Sequence, residues 1–83
     1  MVYVEVFAAG IGKWYEFKCK ETALIRDIIK EMYGVIRDKE NIICEELIEK
    51  KLYLACIDSR QILPLDFKLE ESGIENGNRL ILF

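Results

Sequence analysis

The chain opens with two runs in which apolar side chains alternate between opposite sides. In residues 2–8 the two sides are formed by Val2, Val4, Val6 and Ala8, and by Tyr3, Glu5 and Phe7. In residues 13–19 they are formed by Tyr15, Phe17 and Cys19, and by Trp14, Glu16 and Lys18. A period of two with β-branched residues is typical of β-strands. Residues 9–12 contain two glycines, so the sequence predicts a β-hairpin that turns there.

The apolar spacing then changes to the period of an α-helix. Apolar residues follow one another at helical spacing: Leu24, Ile25, Ile28, Ile29 and Met32. Thr22 is suited to the N-cap because its hydroxyl can accept a hydrogen bond from the first turn. The pattern predicts a helix over 22–33 that ends at Gly34. A further helical pattern over 38–50 predicts either a second helix or one long bent helix, since an internal Gly costs only about 1 kcal/mol.

The rest of the chain has the pattern of short strands separated by turns. Residues 52–57 predict a buried strand, and residues 61–63 predict a short edge strand that Pro64 ends. Asn76-Gly77 predicts a turn before a last strand over 79–83. This order predicts a single α+β domain over 1–83, in which a mixed sheet of four or five strands packs on one main helix. We expect the last strand to lie centrally, beside the first.

The alternation of side chains along the two strands of the hairpin predicts which of them face the helix. The expected core is mostly aliphatic: Val4, Val6, Phe17, Leu24, Ile28, Ile29, Leu54, Leu69, Ile74, Leu80 and Leu82. Tyr3, Phe7 and Trp14 are then left on the outer face of the sheet. Large aromatic side chains on an exposed face are typical of interaction surfaces. We therefore predict that Tyr3, Phe7 and Trp14 bind a protein partner, unless residues 35–51 cover them or the hairpin register differs.

The C-terminal part of the chain resembles the end of ubiquitin-like proteins. The resemblance rests on two segments. The first, Leu69-Glu70-Glu71-Ser72-Gly73-Ile74, is similar to a bend in those proteins. The second, Asn76-Gly77-Asn78-Arg79-Leu80-Ile81-Leu82, is similar to the Gly turn and the central strand that follow it. Among ubiquitin-like groups, the chain most resembles the small bacterial YukD/EsaB family, which is associated with type VII secretion. The resemblance implies a ubiquitin-like β-grasp fold. It also implies a cytoplasmic accessory or regulatory protein that binds other proteins, including secretion-machinery components.

Charge and composition narrow the classes of partner. The net charge is −3 and the longest basic run is Lys50-Lys51, which disfavours nucleic acid and anionic membrane surfaces. No apolar run reaches the roughly 20 residues of a membrane span, and no signal-peptide pattern is visible. The cysteines are odd in number (Cys19, Cys44 and Cys56), which favours free thiols in the cytoplasm over paired disulfides. The sequence leaves the oligomeric state open.

No catalytic or metal-binding pattern emerges from the sequence. The chain has no His, so its thiols lack the usual activating base, and the cysteine spacing fits no zinc site. Gly10-Ile11-Gly12-Lys13 lacks the spacing of a phosphate-binding loop. We expect no enzyme activity, cofactor or metal. The alternatives are a ubiquitin-like domain of a larger protein, or a modifier or sulfur carrier whose C-terminal Gly-Gly is missing after Leu82-Phe83.

Overall fold

The computed structural model describes residues 1–40 and 51–83. Within these ranges the chain forms five strands, one α-helix and one short 3-10 helix. In chain order these are β1 (Val2–Ala8), β2 (Lys13–Cys19), α1 (Ile25–Glu40), β3 (Leu54–Cys56), β4 (Gln61–Ile62), the 3-10 helix (Leu69–Ser72) and β5 (Arg79–Leu82). This order of hairpin, helix, strand, short strand, bend and final strand confirms the predicted fold class.

The strands form one mixed sheet in the order β2-β1-β5-β3-β4. The last strand therefore lies in the centre, parallel to β1 and antiparallel to β3, as the sequence predicts. Its position follows from its own alternation, because Leu80 and Leu82 are buried while Arg79 is exposed. Leu80 is in register with Val6, so the apolar sides of the two central strands face the same layer. β4 lies at an edge, next to Pro64, as predicted.

The core lies between the sheet and α1 and is almost wholly aliphatic. The helix contributes Ile25, Ile28, Ile29, Met32 and Ile36. Nine of the eleven predicted core residues are buried: Val4, Val6, Ile28, Ile29, Leu54, Leu69, Ile74, Leu80 and Leu82. Close packing of such side chains supplies most of the stability of a small domain.

Phe17 and Leu24 are the two predicted core residues that are only half-buried. Phe17 lies on β2, which is an edge strand of the sheet, so only one flank of its ring has a neighbouring strand. Leu24 precedes the helix and forms an isolated antiparallel bridge with Lys68, which keeps it at the margin of the core. Ile25, the next residue, is fully buried instead.

The helix starts later than predicted, at Ile25 instead of Thr22. Its first N–H groups are bonded by backbone carbonyls of the segment before the 3-10 helix. The Ile25 N–H donates to the Phe67 carbonyl at 2.8 Å, and the Arg26 N–H donates to the Leu65 carbonyl at 3.1 Å. A cap from another part of the chain therefore takes the role that local sequence assigned to the Thr22 hydroxyl.

The helix also ends later than predicted, because it continues through Gly34 to Glu40. Ile36 lies four residues after Met32 and is buried, so the apolar face continues beyond the glycine. This burial outweighs the low helix propensity of one Gly. Of the second helical pattern at 38–50, residues 38–40 belong to α1, and residues 41–50 lie outside the described residues.

Candidate protein-binding surface

The hairpin register divides its side chains between the two faces as the sequence predicts. Val6 lies opposite Tyr15 on the helix side, whereas Phe7 lies opposite Trp14 on the outer face. Trp14 is 52 % exposed and Tyr3 is 48 % exposed, while Phe7 is half-buried. All three aromatic residues of the predicted site therefore lie on the outer face.

Phe7 and Trp14 form a close pair, but Tyr3 lies apart from them. The ring centroids of Phe7 and Trp14 are 5.2 Å apart with the planes tilted, a favourable arrangement for two aromatic rings. Tyr3 is in register with Lys18, whose ammonium lies 5.5 Å from the ring centroid. The prediction that cross-strand pairing brings Trp14 beside both aromatics is thus correct for Phe7 and wrong for Tyr3.

The Phe7–Trp14 pair is one end of an apolar row that crosses the whole sheet. Phe7 is in register with Ile81 on β5, Ile81 with Ala55 on β3, and Ala55 with Ile62 on β4. Each strand thus contributes one residue to what we call the apolar row: Trp14, Phe7, Ile81, Ala55 and Ile62. At about 4.8 Å between strands, the row is about 19 Å long.

The apolar row has exposed residues at both ends and its smallest side chain near one end. Ile62 is 61 % exposed and Trp14 is 52 % exposed, whereas the three residues between them are half-buried by their neighbours. Ala55 carries only a methyl group and lies between Ile81 and Ile62. The apolar row therefore has its smallest side chain at Ala55.

A second aromatic pair extends the apolar surface toward the end of β5. Tyr53 and Phe83 are joined by two backbone hydrogen bonds, with N···O distances of 2.6 and 2.9 Å. Their ring centroids are 6.1 Å apart, and Phe83 is 45 % exposed. Because side chains alternate along a strand, Phe83 shares the outer face with Ile81.

Charged residues border the other side of the apolar row. Glu5 lies directly opposite Glu16, and like charges in this position destabilise a sheet. Arg79 is in register with Glu5, but its guanidinium bonds to Asp58 with an N···O distance of 2.9 Å. The Arg79 backbone N–H also donates to the Asp58 carboxylate, and these hydrogen bonds lower the pKa of Asp58. The outer face therefore combines an apolar row with an adjacent pair of exposed carboxylates.

The sequence pattern did not indicate the part of this surface that β3, β4 and β5 supply. Residues 52–57 predict a buried strand, but β3 is shorter and only Leu54 and Cys56 on it are buried. Alternation along β5 was a usable signal, because an inward Leu80 and Leu82 imply an outward Ile81. The row itself could not be found that way, since it depends on the order and register of strands that are distant in sequence.

The cysteines that the structure describes are unsuited to nucleophilic chemistry. Cys19 and Cys56 are buried free thiols, and Cys44 lies outside the described residues. Burial, with a contribution from the charge of Glu31, raises the pKa of Cys19 to about 11, so the thiol stays protonated at neutral pH. Within residues 1–40 and 51–83 no cluster of His, Cys, Asp or Glu could hold a metal ion. No helix in those ranges is long and apolar enough to cross a membrane.

Comparison with solved structures places this fold among the ubiquitin-like domains. The chain superimposes on a chain of the ESX-5 inner membrane complex free of MycP5 with a TM-score of 0.75 and 21 % identity. It superimposes on the EccD5 ubiquitin-like domain from Mycobacterium xenopi with a TM-score of 0.75 and 20 % identity. A ubiquitin-like domain of an Arabidopsis thaliana protein gives a TM-score of 0.69 and 20 % identity. The ubiquitin-like fold expected from the C-terminal motif is thus confirmed.

These matches span nearly the whole chain but differ in how much of the other protein they include. Each covers 99 % of this chain. The chain spans only 20 % of the matched ESX-5 chain, compared with 91 % of the EccD5 domain and 74 % of the Arabidopsis domain. No protein-family model matches the sequence, and a search of curated proteins finds no significant match.

Proposed function

We propose that this protein is a non-enzymatic, protein-binding module of a bacterial type VII secretion system and that its partner docks on the apolar row. The association with secretion is supported by two independent likenesses. The C-terminal sequence resembles the YukD/EsaB family, and two structural neighbours are type VII secretion components. A cytoplasmic location accords with the family resemblance.

The observation that carries the binding role is the apolar row itself. The row has an exposed Trp14 at one end and an exposed Ile62 at the other, so apolar surface is in contact with water in the free protein. Covering it with a partner releases that surface from water, and Trp is among the commonest anchors of protein interfaces. The Phe7 ring holds the Trp14 ring in place before binding, so less side-chain freedom is lost on association.

A second candidate is that the chain acts as one domain of a larger secretion protein. The observation favouring it is that the matched ESX-5 chain is about five times as long as the part the chain covers. Both candidates use the same surface, so the same experiment serves for either. The modifier or sulfur-carrier alternative uses a C-terminal glycine instead and predicts no role for the apolar row.

The test is site-specific photo-crosslinking in cells that have an active type VII secretion system. A photoreactive amino acid is placed at Trp14 or at Ile62, and the matched control places it at exposed Glu70 on the 3-10 helix. We expect both row positions, but not Glu70, to crosslink to a secretion component identified by mass spectrometry. The double variant Trp14→Ala/Ile62→Ser should also lower substrate secretion. Equal crosslinking at all three positions would show that the apolar row is not the docking surface.

A further inference from the structure

β2 is an edge strand whose outer backbone groups have no partner in the part of the chain that the structure describes. Hydrogen bonds between β1 and the residues just before β5 identify these groups. The Glu5 N–H donates to Asn78 at 3.1 Å, and the Tyr3 carbonyl accepts from Gly77 at 2.8 Å. The odd-numbered residues of β1 thus bond to β5, and its even-numbered residues bond to β2.

Each even-numbered residue of β1 is in register with an odd-numbered residue of β2, such as Val4 with Phe17. The odd-numbered residues of β2 therefore direct their N–H and C=O groups toward β1. Trp14, Glu16 and Lys18 direct theirs toward the open edge, where they are available to another strand. β2 has seven residues, whereas the opposite edge strand, β4, has two.

We propose that a second copy of this chain pairs with β2 antiparallel, about a two-fold axis at Phe17, and forms a dimer with one continuous sheet. Because the even-numbered residues of β2 direct their backbone groups outward, these groups can bond across the axis only where an even-numbered residue of one copy lies opposite an even-numbered residue of the other. With the axis at Phe17, Glu16 of each copy pairs with Lys18 of the other, so symmetry creates two opposite-charge pairs. The outward backbone groups of Glu16 and Lys18 then bond to each other.

Neighbouring registers are less favourable on charge. An axis at Glu16 places the two Glu16 carboxylates directly opposite each other beside the existing Glu5–Glu16 pair. An axis at Tyr15 sets Trp14 against Glu16 and leaves Lys18 without a partner carboxylate. Direct repulsion of like charges disfavours the first, and the second lacks any ion pair across the axis. Of these three registers, charge complementarity therefore selects the one centred on Phe17.

The helix-side face of β2 gives a second reason for this register. Phe17 and Tyr15 are only half-buried although they belong to the core side of the hairpin, and their ring centroids are 6.3 Å apart. In the Phe17-centred register the two Phe17 rings meet at the axis, and Tyr15 faces Cys19 of the other copy. Among the residues that the structure describes, no element covers this flank of the core in a single copy, and the dimer would cover it. This inference does not depend on the partner that binds the apolar row.

Sedimentation equilibrium of charge-exchange variants tests the proposal. We expect wild-type protein to dimerise with a dissociation constant below about 1 mM, as suits a small interface. Glu16→Lys alone places a lysine of one copy opposite Lys18 of the other. Lys18→Glu alone places a glutamate of one copy opposite Glu16 of the other. Because symmetry doubles each change, either variant should weaken dimerisation at least about tenfold. The combined variant Glu16→Lys/Lys18→Glu restores the opposite-charge pairs and should dimerise as wild type does.

Matched controls carry the same charge changes away from the edge. Glu70→Lys on the 3-10 helix and Lys30→Glu on the exposed side of α1 should leave the dimer unchanged. Amide hydrogen exchange gives a second readout: the Glu16 and Lys18 amides should become protected as protein concentration rises, and the Ile62 amide should not. Circular dichroism checks that every variant is folded. A wild type that stays monomeric, or single variants that dimerise normally, would overturn the proposal.

Discussion

The two faces of the sheet are built from the same strands but differ in composition and exposure. The inner face carries aliphatic side chains such as Val4, Val6 and Leu80, none more than 1 % exposed. The outer face carries aromatic and charged side chains, among them Trp14 at 52 % exposed. An aliphatic residue packed on all sides contributes to stability, whereas an aromatic residue held half in water retains apolar surface for a partner. Adjacent residues on one strand thus belong either to the core or to the surface proposed for binding.

The largest expected effect comes from breaking the inner face at its centre. Leu80 is fully buried on the central strand β5. Leu80→Ala should lower the free energy of unfolding by about 2–5 kcal/mol, because it removes buried methyl groups and leaves a cavity. Urea denaturation followed by circular dichroism measures the change.

The neighbouring outer residue provides the matched control. Ile81→Ala shortens the next side chain on the same strand, but that side chain is half-buried on the outer face. It should cost clearly less than Leu80→Ala, because part of its surface is already in water. Equal losses for the two variants would mean that the outer face is also part of the core.

The second prediction tests the outer face through Trp14. Trp14→Ala should lower the free energy of unfolding by no more than about 1 kcal/mol, which is mainly the loss of its contact with Phe7. Binding to the crosslinked secretion component should weaken by about 2 kcal/mol or more, since a desolvated Trp is a common hot spot. Titration calorimetry and urea denaturation of the same variant separate the two effects. If Trp14→Ala unfolds the domain instead, Trp14 is a core residue and the binding role proposed for the apolar row falls.

The fold was predictable because its local signals agree with its long-range packing. Period two in the hairpin, period three to four in α1 and the glycine turn before β5 each indicate the element that forms. The errors lie at element ends. The first turn of the helix is capped by carbonyls of Leu65 and Phe67, which are about forty positions away, and no local pattern contains that information.

The candidate surface was predictable only in part, for a related reason. The hairpin placed Phe7 beside Trp14 because their strands are adjacent in sequence and joined by a short turn. Ile62, Ala55 and Ile81 join them only through the strand order β1-β5-β3-β4, which is a property of the whole fold. Tyr3 was assigned to the cluster by its face alone, and the register moves it to Lys18.

The third prediction sharpens the description of the helix under the inner face. Gly34 lies within α1, and a methyl group added there would meet no atom within 4 Å. Gly34→Ala should therefore raise the free energy of unfolding by about 0.5–1 kcal/mol, because Ala loses less backbone freedom in a helix. Gly73→Ala is the contrasting variant. Gly73 ends the 3-10 helix with φ of 71°, so a side chain there should destabilise the protein. A destabilising Gly34→Ala would indicate that the helix ends near Gly34.

The smallest expected effect concerns the polar contact that closes the inner face at its rim. Glu40 accepts hydrogen bonds from Lys13 at 2.7 Å and from Tyr15 at 2.6 Å, which lower the pKa of its carboxyl group. A lowered pKa stabilises the fold above the ordinary value of 4.5, and this stability is lost as pH falls through the folded value. Burial and then the bond to Glu40 raise the pKa of Tyr15 to about 12, so its contribution is present below pH 10.0 and is lost as pH rises from there. Urea denaturation across pH measures the free energy of unfolding, and Glu40→Gln should reduce its dependence on pH in both the acid and the alkaline range. Glu70→Gln should change neither. Identical pH profiles for wild type and Glu40→Gln would show that the contact does not form in solution.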